Sequence, residues 1–385
     1  MAGVSHTQVT NTSFGGNLLA AIAGVGIGVL LFLGSFPFLW WNEGRLDVST
    51  VAKKALVVAP DGAGGGEGEV ISVTAGLATT ESIGDPLFLR PAVHVSLGRK
   101  AEMWSWKEEK KTEEKKKLGG GTEKVTTWDY VPVWAEEPAD SSRFEYAQSH
   151  ENPHMAVRSE TFFAARATVG AFGVAPKDVG LPPAAPLAVA DAMLVPLAPH
   201  ADPELAKLRP RRDGAWIYLG AGSIAQPAIG DVRVSFASVD PTPGPVTLYG
   251  VRHGTDVGPW VEPDKLLPEK LYRVVPGTHA QAVATLHGEY VRELWVFRLL
   301  GFLAMWIGLT LLLGPLNAVL DVVPFVGKAG RMVTTLVMFP LAAALSGLTI
   351  LLAIVAHHPA LLAVPVLAAI VIFTVVRLRR RSAPA

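Results

Sequence analysis

The chain has 385 residues, half of them hydrophobic and 18% charged, with 34 Lys+Arg balancing 34 Asp+Glu and no cysteine. Soluble domains carry about a quarter charged residues, so this composition points to the membrane. The absence of cysteine excludes disulfides, cysteine-ligated zinc, iron–sulfur clusters and thiol nucleophiles.

The zero net charge conceals an uneven spread. Residues 1–42 carry no charge, 43–293 carry 27 basic and 33 acidic residues, and 294–385 carry seven basic and one acidic. Residues 1–16 read as a short cytoplasmic N-terminus. Residues 17–41 form the first of four uncharged windows, the others being 299–320, 332–356 and 359–376. Crossing the hydrocarbon core takes about 20 apolar residues, roughly 17 to 25, so all four fit and the last is short. The first window lacks a basic lead and ends in Trp40-Trp41-Asn42-Glu43, not in a small-residue cleavage site. It therefore reads as a retained span and not a signal peptide, with tryptophans placed for the membrane interface. Within it, Gly24 and Gly28 make a small-xxx-small step suited to close helix packing.

Residues 42–293 read as a β-rich domain. Period-two alternation marks strands at 231–236 and 246–249, separated by the turn-rich run Pro241-Thr-Pro-Gly-Pro245. A second pair, 92–107 and 124–134, flanks a charged tip with Lys115-Lys116-Lys117 and Gly119-Gly120-Gly121. Trp104 and Trp106 share one strand face, as do Trp128, Tyr130 and Trp134. Aromatics on a sheet face beside lysines suggest a nucleic-acid platform. However, Glu108, Glu109, Glu113 and Glu114 cancel the basic field, so the aromatics are expected in the core and the tip in solvent. Gly62-Ala-Gly-Gly-Gly-Glu-Gly68 lacks the Gly-Lys-Ser/Thr of a phosphate cradle and reads as a turn. Pro176, Pro182, Pro183, Pro186, Pro196, Pro199 and Pro203 make 175–203 the expected internal break.

His150-Glu151-Asn152-Pro153-His154 matches the H-E-x-x-H pattern of zinc proteases. That chemistry needs a helix that places both imidazoles on one face. Pro153 would cost such a helix roughly 3 kcal/mol and pushes Asn152 out of the helical region. No metal and no cofactor is expected, no catalytic triad can be assembled from the spacing, and nucleic acid is not an expected partner.

Periodicity at 279–298 leads into the second span, 294–320. Asp321 and Pro324 open a loop, 321–331, which carries Lys328 and Arg331 and precedes the third span, 332–356. The fourth span, 359–376, ends in a tail, 377–385, with Arg377, Arg379, Arg380 and Arg381. Basic residues near span ends mark the cytoplasmic side. Loop and tail are thus expected in the cytoplasm, and the long segment 42–293 on the other side. Asn42, Glu43, Gly44 and Arg45 then sit where the chain leaves the bilayer. A desolvated charge there needs a partner, and Arg292 and Glu293 lie on the same side.

Several strings occur together in one order: Asn42-Glu43-Gly44-Arg45, Asp85-Pro86, Pro91-Ala92-Val93, Glu102-Met103-Trp104-x-Trp106, Asn152-Pro153-x-Met155-Ala156-Val157 and Gly230-Asp231-x-Arg233-Val234-Ser235-Phe236. Gly301-x-x-Ala304-Met305 and Asp321-x-x-Pro324 follow. In these the chain resembles the transmembrane protein 43 (LUMA) family over nearly its whole length. The resemblance implies four spans and a large lumenal domain. Animal members lie in the endoplasmic reticulum and inner nuclear membrane, where they organise membrane-protein complexes. His150, Glu151 and His154 are not part of that pattern. Richness in Ala, Gly, Val and Pro, with no cysteine, suits a bacterial member, whose domain would be periplasmic.

The expected fold is an α+β membrane protein. It has four transmembrane α-helices and a large β-rich extracytoplasmic domain, barrel-like where it meets the bilayer, between helices 1 and 2. The expected function is a non-enzymatic organiser that self-associates, contacts membrane lipids and recruits other membrane proteins. The alternative is a lipid-handling protein whose β domain shields or modifies lipid. The residues singled out are Gly24, Gly28, Asn42, Glu43, Gly44, Arg45, Asp321 and Pro324, all in structural or interaction roles.

Overall fold

The computed structural model describes residues 5–195, 210–322 and 324–357. Strand β1 (His6–Thr12) leads into helix α1 (Phe14–Glu43), and the short helix α2 (Val48–Lys54) follows. Strand β2 (Val70–Ala78) precedes a long hairpin of β3 (Ser96–Lys116) and β4 (Thr122–Ala135). Next come β5 (Ala167–Val169), β6 (Phe172–Val174), β7 (Val232–Val239), β8 (Thr242–His253) and β9 (Asp256–Gly258). A small hairpin, β10 (Trp260–Val261) and β11 (Lys270–Leu271), is followed by β12 (Arg273–Pro276). The chain then turns helical, as α3 (His279–Leu312), α4 (Gly314–Leu320) and α5 (Pro324–His357). It divides into two compact units, one holding mainly 47–112 and 126–288, the other 9–46, 113–125 and the described residues from 289 onward.

In the first unit β2, β8, β9, β6 and β5 close on themselves as a five-stranded barrel. The long β2–β8 ladder runs antiparallel from Val70↔Val251 through Val246↔Ala75. The barrel closes through β8–β9, the parallel step Gly173↔Asp256, β6–β5 and β5–β2. Alternation along β2 decides what lies inside. Ile71, Val73 and Leu77 join Val169, Phe172, Leu248 and Val257 in the core, while Ser72 on the opposite face meets His279 at the start of α3. A second cluster lies on the outer wall, where Ala52 and Ala55 pack with Tyr249, Leu271, Val275, Ala282 and Leu286. Both α2 and the first turns of α3 are thereby bolted to the barrel.

The other sheet is built on β3 and β7, antiparallel from Val232↔Met103 to Val239↔Ser96. Leu97, Ala101, Met103, Val232, Val234 and Phe236 form its core with Ile217 and Leu219. Trp128 and Tyr130 are buried, and the hairpin aromatics pack on one another, Trp104 against Trp134 at 5.3 Å between ring centres. On the face away from that core, the Arg233 guanidinium lies between Trp134 and Trp216, at 4.5 and 4.4 Å, with Glu102 at 2.8 Å.

Two features go beyond the sequence reading. Within the short N-terminal segment, residues 6–12 form a strand, since β1 pairs with β4. Their Thr and Val residues favour extended backbone, but without an apolar run they gave no strand signal. The proline-rich stretch does not separate two halves, since Ala185–Leu187 pairs with β7. Pro196, Pro199 and Pro203 lie outside the described residues. Among the described residues three helices, α1, α3 and α5, are long and apolar enough to cross a membrane. The fourth window, 359–376, and the arginine tail also lie outside the described residues.

In the second unit the helices meet through small residues. A Cβ at Gly28 would lie 2.9 Å from the Leu311 Cβ and 3.0 Å from the Gly308 carbonyl oxygen. At Gly301 it would lie 2.4 Å from Leu39. Leu39, Met305 and Ala342 are fully buried there. Ser346 and Thr349 donate to carbonyls one turn back, on Ala342 and Leu345. Outward, the helices carry exposed Leu, Val and Ile side chains, Leu30 among them.

Candidate interaction sites at the two ends of helix α1

The C-terminal end of α1 gathers the four residues singled out there. Asn42 is fully buried, and its amide nitrogen donates to the Leu294 carbonyl at 3.2 Å. Its Oδ1 is buried without a hydrogen-bond partner among the described residues. Glu43 accepts a two-pronged bond from Arg298, Nε at 2.8 Å and an Nη at 2.7 Å. The Glu43 side chain is only 3% exposed and that of Arg298 17%. Paired oxygens and paired N–H groups satisfy each other in one plane, which lets a charge pair survive with so little water. Gly44 is held to glycine by space, since a Cβ there would lie 2.6 Å from the His357 Nε2. Arg45 donates to Glu293 at 2.8 Å, one of the two charged residues that precede the second span. Its guanidinium lies over Trp41 and Phe297, 5.7 and 5.1 Å from their centres.

At the N-terminal end of α1, Ser13 caps the helix by accepting from the Gly16 amide at 3.2 Å. The Asn17 amide then donates to the Gly120 carbonyl and the Thr122 hydroxyl, each at 2.8 Å. The tip of the β3–β4 hairpin is therefore clamped there and is not a free solvated end. The Gly119 amide donates to the Val322 carbonyl at 3.0 Å. Gly119 and Gly120 both sit at positive φ, which glycine adopts without strain. Lys116 reaches Asp321 at 3.0 Å, and Arg331 also donates to that carboxylate. The Asp321 side chain is 6% exposed. Pro324 opens α5, a position where its missing N–H costs nothing. At the tip itself, a hydrogen bond from Lys124 holds the Glu114 carboxyl below its ordinary value against the opposing pull of desolvation.

These contacts bear on the sidedness read from charge. That reading places residues 113–125 across the membrane from Asn17 and Asp321, whereas the structure joins them directly. Gly24 and Gly28 belong to neither end. They face α3, so the small-xxx-small step serves the chain's own packing. Two partners escaped the sequence reading. Arg298 had a signal, as the lone charge in an otherwise apolar run. Lys116 had none, because its neighbours gave it local acidic partners.

In the pseudo-zinc stretch, residues 151–153 are loop and not helix. His150 stacks on Tyr130 with ring centres 4.0 Å apart and meets the Trp106 edge at 4.9 Å. Burial, then the hydrogen bond to Glu108, pushes the Tyr130 phenol up to about 12.

Comparison with known proteins identifies the family. The sequence profile described as transmembrane protein 43 matches residues 103–359. Transmembrane protein 43 of Mus musculus is 28% identical over 351 residues, covering 83% of this chain and 81% of that protein. The Homo sapiens protein is 28% identical over 345 residues with the same coverage. A Drosophila melanogaster homolog is 23% identical over 299 residues, 74% of each chain. No solved structure matches. The chain is an integral membrane protein and belongs to the transmembrane protein 43 family.

Proposed function

We propose that the protein is a non-enzymatic organiser of membrane-protein complexes and membrane structure, which self-associates and recruits other membrane proteins. The filled barrel carries this reading. Ile71, Val73, Val169, Phe172 and Leu248 are each at most 1% exposed and occupy the interior that a shielded lipid would need. Ser72 Oγ lies 2.7 Å from His279 Nδ1, as a nucleophile lies from its base, but Ser72 is wholly buried and Tyr249 OH reaches the same nitrogen at 3.3 Å. That contact bolts α3 to the barrel and offers no substrate access.

One observation favours the lipid-handling alternative. An apolar groove of about 360 Å³ runs between Phe36, Pro37 and Trp40 of α1 and Leu345, Leu348 and Leu352 of α5, and it suits an acyl chain. Native mass spectrometry of the protein in mild detergent separates the two. An oligomer, or a complex with other membrane proteins, is the expected result. A strict monomer carrying stoichiometric lipid overturns the organiser in favour of the alternative.

Sidedness belongs to the same proposal. Arg331 and the distal arginines favour a cytoplasmic loop and C-terminus, while the bonds from Asn17 and Val322 to the hairpin tip count against a domain held wholly on the opposite side. Impermeant thiol labelling of cysteines introduced singly at Ser142, Leu118 and Ser382 distinguishes these arrangements in a chain that has no cysteine of its own.

A further inference from the structure

The turn between β10 and β11 exposes two leucines. Leu266 is 97% and Leu267 67% exposed, beside Lys265 and between Pro263 and Pro268. The neck of this finger is closed by the Glu262 amide donating to the Glu269 carbonyl at 2.9 Å, with the Glu269 amide 3.4 Å from the Glu262 carboxylate. Single exposed leucines are ordinary. Two adjacent ones at the tip of a closed turn form a protrusion that water disfavours.

The base of the finger indicates what covers it. Leu271 of β11 is fully buried in the cluster formed by Ala52 and Ala55 at the end of α2 and Ala282 and Leu286 in the first turns of α3. Both helices adjoin membrane segments along the chain. Only residues 44–47 separate α1 from α2, and four residues reach at most about 14 Å. Eight residues after Leu286 the same α3 enters its apolar stretch at Leu294. Lys53, Lys54 and Lys270 are exposed around this base. Chain length alone thus keeps the finger's anchorage close to the places where the chain leaves and re-enters the bilayer.

We infer that residues 262–269 form a membrane-surface finger. Leu266 and Leu267 enter the interfacial layer of the bilayer, and Lys53, Lys54, Lys265 and Lys270 stand at the level of the lipid phosphates. Interfacial elements of this kind combine apolar insertion with basic side chains at the headgroups. The inference is independent of the organiser reading, because it concerns how the β domain meets lipid and not which proteins it recruits.

The test uses the full-length protein reconstituted in phosphatidylcholine vesicles with and without phosphatidylserine. A cysteine at Leu266 carries an environment-sensitive fluorophore, and one at the exposed Ser142 serves as the aqueous reference. The Leu266 probe should shift to the blue, lose iodide quenching and gain quenching by shallow doxyl-labelled lipid, while the Ser142 probe does none of these. Lys53→Glu with Lys54→Glu should reduce the part of the response that depends on phosphatidylserine. A probe at Leu266 that iodide quenches as fully as at Ser142 overturns the inference. So does a blue shift that appears only when other membrane proteins are added, which would assign the leucines to a protein partner. If the cysteine at Leu266 destabilises the turn, the same readout at Leu267 decides.

Discussion

Each end of α1 buries one carboxylate, and the two ends solve the same problem differently. Glu43, with its side chain 3% exposed, is answered by one arginine from the facing helix in a two-pronged contact. Asp321, 6% exposed, is answered by two cations from different places, Lys116 on the hairpin tip and Arg331 one helix later. The first arrangement is a rivet, because its partner lies on α3, which packs closely against α1 at Gly28 and Gly301. The second is a latch, because half of its charge compensation arrives on a hairpin that also hydrogen-bonds Asn17 and Val322. The difference teaches that buried charge at a span end need not be a local affair.

The comparison breaks first at the rivet. Removing one partner of a buried ion pair leaves the other uncompensated, at a cost of roughly 3–5 kcal/mol. Glu43→Gln should therefore lower the midpoint of thermal unfolding in detergent more than any other single change at either end. Adding Arg298→Met should recover most of the loss, since well-packed apolar replacements of buried pairs are often neutral. If the double variant is as unstable as Glu43→Gln alone, the pair is not the source of the effect.

The latch should give a smaller effect and a different signature. Asp321→Asn keeps the shape of the side chain, and its partners can turn to water, since Lys116 and Arg331 are 19% and 40% exposed. The expected loss is about 1–2 kcal/mol, in the range for a hydrogen bond to a charged group. The hairpin tip should also loosen. Cysteines at Asn17 and Thr122, whose side chains are 2.8 Å apart, should be joined rapidly by a short bifunctional thiol reagent in the parent background. In Asp321→Asn the joining should slow. Absence of joining in the parent, with both cysteines reactive singly, would show the tip lying elsewhere and restore the sidedness read from charge.

The two ends also differ in how far the sequence disclosed them. Asn42, Glu43 and Arg45 follow an uncharged span directly, and Glu293 precedes another, so the seam could be read from position along the chain. Arg298 was visible as a lone charge. Lys116 looked like one of several lysines balanced by Glu113 and Glu114, and no local pattern states that a hairpin tip will meet a residue far along the chain. The barrel shows the same division. The alternating runs of β7 and β8 announce strands, but closure depends on β5, β6 and β9, each only three residues long and too short for any periodicity to register. Gly24 and Gly28 were legible as a packing face, while the identity of the partner, α3, was not.

The finest distinction lies within the rivet end itself. Arg45 and Glu293 form a second pair there at 2.8 Å, but Glu293 is 50% exposed and only Arg45, at 11%, is largely withdrawn from water. Exposed pairs contribute about 0–1 kcal/mol, so this pair should add little beside Glu43–Arg298. Arg45→Glu should nonetheless cost more than Glu293→Arg. It removes the cation that stacks over Trp41 and Phe297 and sets a carboxylate against aromatic faces, whereas Arg at 293 extends into solvent. Combining the reversals should recover part of the loss, because the attraction is restored with opposite sign while the stacking is not. Strictly additive losses in the double variant would show that Arg45 acts through Trp41 and Phe297 alone. Its carboxylate partner would then be incidental, and the seam would hold a single working ion pair.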